Sequence, residues 1–225
     1  RARSAFKLKQ IQTRFELMRQ GDVILDVGCH PGGWAQVAVE EVGSSGIVIG
    51  IDLEPCQPVD GAILLVGDIT DPMTQERIVT ELEQRKVNSV VSDISPDITG
   101  KWNIDQAVAM TLVAKVFDFA LPLLCNGGSF VTKLFQGVGV EELIKAVKPH
   151  FSTVRRYSPE ASRNSSSEVY LICRNYMPWK TASGSILTDY ETEVNKILGG
   201  DEINDDVVAT KTKFTVRRRK NTSEE

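Results

Sequence analysis

The 225-residue sequence has few residues of the kinds that bind metals or form disulfides. It contains two histidines and four cysteines, and the cysteines are widely spaced without a Cys-x-x-Cys pair. Neither residue type shows the spacing of a metal site, so we expect no bound metal. Reduced thiols in a cytoplasmic protein are the simplest interpretation of these cysteines.

A long uninterrupted apolar run is also missing. The most apolar segment, 107–125, contains Lys115 and Asp118, which a bilayer-spanning helix would bury at considerable cost. The first residues of the sequence carry no apolar signal region. We therefore expect a buried helix, no membrane partner and a cytoplasmic location.

The sequence lacks an overall excess of basic residues, since its net charge is −4. That sum hides a local asymmetry, because residues 1–20 hold six Lys or Arg side chains against one acid. Leu8, Ile11, Phe15 and Met18 recur at helical spacing, which predicts an amphipathic basic helix packed on the body. Its charges can serve a phosphate backbone or form an ordinary solvated face, and this segment alone favours neither.

The length and composition fit one soluble globular domain followed by a tail. Hydrophobic residues make up 41% and charged residues 25% of the chain. We assign 1–176 to the domain and 177–225 to a charged tail, expected to be flexible because acidic and basic residues are segregated along it. A monomer is expected, since no apolar surface stripe is left unassigned.

Short β-branched runs alternate with helical patterns along the domain, which is typical of right-handed βαβ units around a parallel sheet. The predicted strands are 23–27, 47–51, 63–66, 89–92 and 129–132, and the predicted helices are 34–41, 73–83, 107–124 and 140–147. The runs 153–157 and 168–173 are too close together for an intervening helix, so they predict an antiparallel pair at one edge. The predicted fold is a doubly wound, Rossmann-like α/β sheet of seven strands with helices on both faces.

A strand, a glycine-rich turn and a helix follow one another over residues 24–34, as in ligand sites at the carboxyl ends of parallel strands. A dinucleotide fingerprint would need glycine at position 30, where this sequence has His30. Asp52 ends the second strand, where a carboxylate can accept hydrogen bonds from ribose hydroxyls. Asp68 ends the third strand, and taken alone it is more typical of a helix cap.

Asp93 and Lys133 end the fourth and fifth predicted strands and should therefore meet at one cleft. By themselves they are more typical of a structural ion pair. The turn from Asp26 to Trp34, of the form Asp-x-Gly-x-x-Pro-Gly-Gly-Trp, resembles the first motif of S-adenosylmethionine methyltransferases. In particular it is similar to the FtsJ family of RNA 2′-O-methyltransferases, and the resemblance covers about residues 1–175.

That family carries a Lys-Asp-Lys-Glu set, and this sequence supplies it in the same order with similar flanks: Lys7, Asp93, Lys133 and Glu168. The resemblance implies S-adenosylmethionine as the cofactor. The residues implied in binding it are Asp26, Gly28, Gly32, Trp34, Asp52, Asp68 and Asp93. Asp68 matches the residue that contacts the adenine amino group in the family, and His30 is expected to have a structural role.

A ribose hydroxyl is a weak nucleophile that needs a fixed angle of attack and a group that receives its proton. Lys133 is the candidate base, since burial or a nearby cation makes a lysine release its proton more readily. Alternatively it stays charged and stabilises the developing alkoxide. Lys7 would hold the substrate oxygen, with Asp93 orienting Lys133 and Glu168 orienting Lys7.

The resemblance implies a uridine in large-subunit ribosomal RNA as the target, with the ribosomal subunit as the partner. Relatives with the same four residues modify transfer RNA or messenger caps. Two alternatives come from other classes of protein: a catalytically silent RNA-binding assembly factor and a nucleotide-dependent oxidoreductase. The intact four residues disfavour the former, and His30 with the antiparallel ending disfavours the latter.

Overall fold

The computed structural model describes residues 2–96, 99–160, 167–180 and 184–197. The strands are β1 (Val23–Val27), β2 (Ile47–Asp52), β3 (Ala62–Val66), β4 (Val87–Ser92), β5 (Leu124–Phe135), β6 (Phe151–Tyr157) and β7 (Glu168–Tyr176). The α-helices are α1 (Ala2–Phe15), α2 (Gly33–Val42), α3 (Pro72–Leu82), α4 (Trp102–Ala120), α5 (Val140–Val147) and α6 (Ile186–Ile197).

The seven strands form one sheet in the order β3-β2-β1-β4-β5-β7-β6. The first five are parallel, whereas β7 runs antiparallel to both β5 and β6. This confirms the predicted Rossmann-like sheet with an antiparallel edge pair. The carboxyl ends of β1, β2, β4 and β5 consequently lie along one rim, and β7 begins at that same rim.

Helices cover both faces of the sheet. On one face α1 and α2 pack over a cluster that includes Leu8, Trp34 and Tyr170. On the other face α3 to α6 enclose the larger cluster, in which Phe117 stacks on Phe130 with ring centroids 3.8 Å apart. The central strands β1 and β4 are therefore buried on both faces, as a mostly parallel sheet requires.

The stretch Ile104–Leu123, which contains most of α4, is long and apolar enough to cross a bilayer by length and composition alone. Half of that stretch is already buried inside the protein. Its apolar side chains include Val113 and Phe117, both in the larger cluster. This is the behaviour of a core helix, and one such helix is weak evidence for a membrane span.

The basic helix is shorter than the predicted 1–20, because α1 ends at Phe15 and Glu16 adopts a left-handed φ of 49°. The buried side chain of Gln12 accepts hydrogen bonds from the N–H groups of Leu17 and Met18. These N–H groups would donate to backbone carbonyls if the helix continued. The chain then turns toward β1. The predicted inward positions of Leu8, Ile11 and Met18 are all buried.

The prediction of a flexible tail from residue 177 is wrong for the segment that forms α6. The side chain of Asp118 on α4 accepts hydrogen bonds from the Ser185 hydroxyl and the Ile186 N–H, which anchors the start of the helix. Ile186 and Tyr190 are buried in the larger cluster. The acidic and basic residues from 201 onward lie outside the described residues, as does the flank 161–166 of Glu168.

Candidate active site

The four candidate catalytic residues meet at the rim where the parallel strands end. Backbone pairing sets two of them, because Lys133 on β5 faces Tyr170 on β7 and Phe135 faces Glu168. The N–H of Asp93, just beyond β4, donates to the carbonyl of Val27 at the end of β1. The sheet itself therefore brings these candidate side chains to the glycine-rich turn.

Lys133 is paired with Asp93. Its Nζ donates to the backbone carbonyl of Asp93 at 2.7 Å and lies 3.4 Å from the carboxylate Oδ1. The side chains are 9% and 20% exposed, so water screens this pair less than it screens a surface ion pair. Two acceptors on one residue fix the direction of the ammonium group.

Lys7 is paired with Glu168 across the same rim, with Nζ and Oε2 separated by 2.6 Å. The Lys7 Nζ also lies 5.9 Å from the centre of the Tyr170 ring. These contacts bring α1 to the start of β7. Lys133 is thus the cross-strand neighbour of Tyr170 and Lys7 lies over its ring, each with its own carboxylate.

Two polar residues of this centre, Tyr170 and Ser4, were missed from the sequence. The Tyr170 hydroxyl donates to Asp93 Oδ1 at 2.9 Å, and the Ser4 hydroxyl donates to Oδ2 at 3.3 Å. Burial, with the nearby charge of Asp93, raises the pKa of Tyr170 far above its usual value, so it remains a donor. Strand alternation could have found Tyr170, which follows Glu168 by two residues and shares its face.

Trp34 connects the cofactor turn to α1. Its buried indole N–H donates to the carbonyl of Ser4 at 2.9 Å, and its ring lies 5.7 Å from that of Tyr170. The indole donor is therefore already used within the protein. Any contact of Trp34 with a cofactor would come from its main chain.

The glycines of the turn have different roles. Gly28 has a φ of 81°, and a Cβ there would lie 2.7 Å from the Cα of Ile94, so this glycine lets the segment after Asp93 approach β1. Gly32 has a φ of 99° and precedes α2 without a side-chain cap. Of the first N–H groups of α2, that of Ala35 is directed to Asp26, and those before it have no side-chain cap and can serve as donors for a ligand.

Asp26 is a buried carboxyl group without a normal hydrogen bond. It is completely buried, and neither of its oxygens accepts a hydrogen bond of ordinary geometry. Burial and the charges of Asp93 and Asp52 raise the pKa of Asp26 well above its usual value, which the amide of Ala35 offsets only in part. Such a site favours a cationic or hydrogen-bond-donating ligand that satisfies these acids.

Asp52 shapes the turn from the neighbouring strand. Its carboxylate accepts from the N–H groups of His30 at 2.8 Å and Glu54 at 3.0 Å. The His30 ring contacts the carbonyl of Pro55. His30 therefore joins the turn to the loop after β2, in keeping with the structural role expected for it.

Asp68 is not the cap of α3, since Asp71 occupies the N-cap position and accepts from the N–H of Thr74. Oδ1 of Asp68 accepts from the N–H and hydroxyl of Thr70, each at 2.8 Å. No described residue donates to its Oδ2. That oxygen is available to accept a hydrogen bond from a ligand such as an amino group.

Within the described ranges, no three His, Cys, Asp or Glu side chains are grouped in a way that could hold a metal ion. None of the four cysteines, all of which are described, forms a disulfide, and burial raises the pKa of the Cys29 thiol within the turn. The polar groups of this rim are thus carboxylates, lysines, hydroxyls and helix N–H groups.

Comparisons with known proteins agree with this arrangement. The profile of the FtsJ-like methyltransferase family matches residues 1–176. A protein of Halorubrum lacusprofundi named ribosomal RNA large subunit methyltransferase E is 41% identical over 186 residues, covering 82% of this chain and 69% of its own length. A protein of the same name from Methanothrix thermoacetophila is 41% identical over 197 residues, covering 88% of this chain and 75% of its own.

Solved structures show the same fold at lower identity. A Plasmodium falciparum chain described as a ribosomal RNA methyltransferase has a TM-score of 0.69 and 24% identity, covering 77% of this chain and 96% of its own. A structure of the fibrillarin/Nop5p complex has a TM-score of 0.51 and 15% identity, covering 76% and 83%. The family match over most of the sequence, together with the 41% identity to two archaeal relatives, shows that this chain belongs to the FtsJ-like methyltransferase family.

Proposed function

We propose that this protein transfers a methyl group from S-adenosylmethionine to the ribose 2′-hydroxyl of a uridine in large-subunit ribosomal RNA. The observation that carries the proposal is the pairing of Lys7 with Glu168 and Lys133 with Asp93 at one rim, next to a glycine-rich turn. The names of the archaeal relatives support ribosomal RNA as the substrate.

The residues of the turn fit S-adenosylmethionine. Asp26, Asp52 and Asp93 surround the turn with carboxyl groups, which suit a ligand that carries a sulfonium and an ammonium group. Asp52 is placed for the ribose hydroxyls and the open oxygen of Asp68 for the adenine amino group. When bound, the cofactor supplies an electrophilic methyl group, and the chain's own residues must supply the rest.

Lys133 is the residue best placed to handle the proton of the substrate hydroxyl. Its contacts with the carbonyl and the carboxylate of Asp93 occupy two of its hydrogens. A neutral amine then offers its lone pair to the 2′-hydroxyl as a base, whereas an ammonium offers a third N–H to the developing alkoxide. In both alternatives the 2′-oxygen of the substrate lies next to the Nζ atom of Lys133.

Lys7 would hold the 2′-oxygen from the other side. Glu168 fixes its ammonium group, and the Nζ atom lies 5.9 Å from the centre of the Tyr170 ring. Tyr170 and Ser4 would act as positioning residues, because both donate to the carboxylate of Asp93. A fixed oxygen between two lysines meets the requirement for in-line attack.

Transfer of a radioactive methyl group tests the proposal. Labelled S-adenosylmethionine is supplied with large ribosomal subunits and, separately, with bulk transfer RNA, and ribose methylation is then mapped. We expect label on a uridine 2′-oxygen of the large subunit, from a monomeric cytoplasmic enzyme. Label on transfer RNA alone would overturn the substrate, and cofactor binding without any label would indicate a silent assembly factor.

A further inference from the structure

A groove on the α1 side of the sheet has no role in the site described above. It has a volume of about 120 Å³ and lies between the end of α1 and the antiparallel edge strands. It is lined by Phe15, Thr153, Arg155, Ile172 and Arg174. An apolar floor with two arginines at its walls is the chemistry of a site for a phosphate attached to a larger molecule.

The two arginines are exposed and have no acidic partner. No carboxylate of the described residues lies within 4 Å of the guanidinium of Arg155 or Arg174. The next residue on β6, Arg156, points to the opposite face and forms an ion pair with Glu141. Two unpaired guanidinium groups around one groove repel each other, so the groove favours an anion that both can contact.

The groove is aligned with the catalytic rim by the register of the sheet. Lys133, Tyr170 and Tyr157 form one cross-strand row on the α1 face. Arg155 opposite Ile172 forms the next row, and Thr153 opposite Arg174 the one after it. With roughly 3.3 Å of rise per residue, these rows lie about 7 and 13 Å from the row of Tyr170.

The helix above the sheet gives the same distance independently. Lys7 and Phe15 are eight residues apart on α1, which corresponds to about 12 Å of helix. Phe15 lies at the groove, where its ring contacts Tyr157 edge-on with centroids 5.2 Å apart. Both aromatic rings are partly exposed and offer a surface on which a base or a ribose can stack.

We infer that this groove binds the phosphodiester backbone of the substrate RNA a few nucleotides from the ribose held between Lys7 and Lys133. The inference rests on the proposed function for the identity of the strand. Arg155 and Arg174 contact phosphates, and Phe15 supports the nucleotide between them. Exposed, unpaired arginines beside an aromatic ring favour RNA over an acidic protein segment, which would not use the stacking surface.

The test compares Arg155→Gln, Arg174→Gln and the double variant with Arg156→Gln as the matched control from the same strand. Affinity for a fluorescein-labelled RNA stem-loop is measured by anisotropy at several salt concentrations. Each lost phosphate contact lowers the salt dependence of log K by about 0.7 to 0.9. We expect the double variant to bind about tenfold more weakly and to lose roughly 1.5 from that slope, with the control unchanged.

Methyl transfer to large subunits is assayed on the same variants, so that the two proposals fail separately. A raised KM for RNA with kcat and cofactor affinity retained is the expected result. Unchanged RNA affinity and unchanged salt dependence in the double variant would overturn the RNA-binding role of the groove, whether or not the protein methylates RNA. Weaker binding to subunits with unchanged binding to naked RNA would also overturn it, in favour of a ribosomal protein. If the double variant loses RNA affinity but even the unmodified protein transfers no methyl group, the RNA-binding role of the groove is supported and the proposed function is contradicted.

Discussion

Lys133 and Tyr170 face each other across β5 and β7, and both direct a hydrogen-bond donor to Asp93. The pairing of two antiparallel strands thus fixes the catalytic lysine and its carboxylate at the same time. The proposed chemistry depends on this register, because a shift by one residue would turn Lys133 to the other face of the sheet.

Replacing Lys133 with alanine should abolish methyl transfer, because it removes the group that receives the substrate's proton or stabilises the developing alkoxide. We expect a loss of kcat of about a hundredfold or more, with S-adenosylmethionine still bound in calorimetry. Lys145→Ala on the surface of α5 is the control and should retain activity. Undiminished turnover, or loss of cofactor binding, would contradict the assignment.

Replacing Lys133 with arginine separates its two candidate roles. Arginine keeps the positive charge and does not deprotonate in proteins, so a base is lost while a cation is retained. We expect no activity from this variant if Lys133 is the base. Substantial residual turnover at neutral pH would show that the cation is sufficient.

Tyr170→Phe should lower kcat by about tenfold while the fold is kept. The variant removes the hydrogen bond to Asp93 Oδ1 but preserves the ring that packs beside Trp34. Cofactor affinity, kcat and the melting temperature should be measured together. Tyr176→Phe, further along β7, is the control, and an equal loss of kcat there would remove the positioning role of Tyr170.

The pairing of Lys7 with Glu168 predicts non-additive effects in a double-mutant cycle. Each single alanine variant should lower kcat/KM, and the double variant should lose much less than the product of the two. The exposed pair of Lys9 with Glu40, with side chains 49% and 48% exposed, serves as the control cycle and should show almost no coupling. Additive losses for Lys7 and Glu168 would refute a shared function.

The buried Asp26 predicts a pH dependence of stability. Because its pKa is raised in the folded state, the Asp26 carboxyl keeps its proton at pH values where the unfolded chain, with a pKa of about 4 at this residue, has released it, and its contribution to stability therefore falls as pH rises. Asp26→Asn should therefore flatten this decline in melting experiments between pH 4 and 8. It should also weaken S-adenosylmethionine binding by about tenfold or more.

The exposed substitution Asp60→Asn is the control for both measurements on Asp26. It should leave the pH profile of the melting temperature and the cofactor affinity as they are. An Asp26→Asn variant with the same pH profile as the unmodified chain would show that this carboxyl does not determine the slope.

Asp118→Ala should destabilise the packing of α6. The substitution removes the acceptor for the hydroxyl of Ser185 and for the first N–H groups of the helix, at a cost of about 1 to 2 kcal/mol. Thermal melts and hydrogen exchange of residues 186–197 give the measurement. Glu191→Ala, exposed on the same helix, should have little effect.

Local patterns were sufficient to predict the sheet, because short runs of residues determine where strands begin and end, whereas the four candidate catalytic residues came from motifs that resemble those of the FtsJ family. β1 begins and ends where the sequence indicated, while β5 extends to Leu124 and Phe135 beyond the predicted 129–132. The extra residues are held by pairing with β7 and β4, which no local pattern reports.

Other features depend on contacts between distant segments and were therefore not predictable. α6 has a charged, weakly apolar sequence and is fixed by Asp118, which lies 67 positions before Ser185. Gly28 was interpreted as part of a ligand turn, yet its conformation also admits the backbone of Ile94. The groove of Arg155 and Arg174 becomes visible only when the register of β6 and β7 is known.

The bond between Lys7 and Glu168 joins residues 161 positions apart and has a consequence for synthesis of the protein. α1 is synthesised before β7, and its buried Leu8 and Ile11 lack the strand residue Ile172 until β7 has been made. The glycine-rich turn can form much earlier, from β1 and β2. A nascent chain therefore brings the four candidate catalytic residues together only after β7 is added, so we expect no activity before that point of translation.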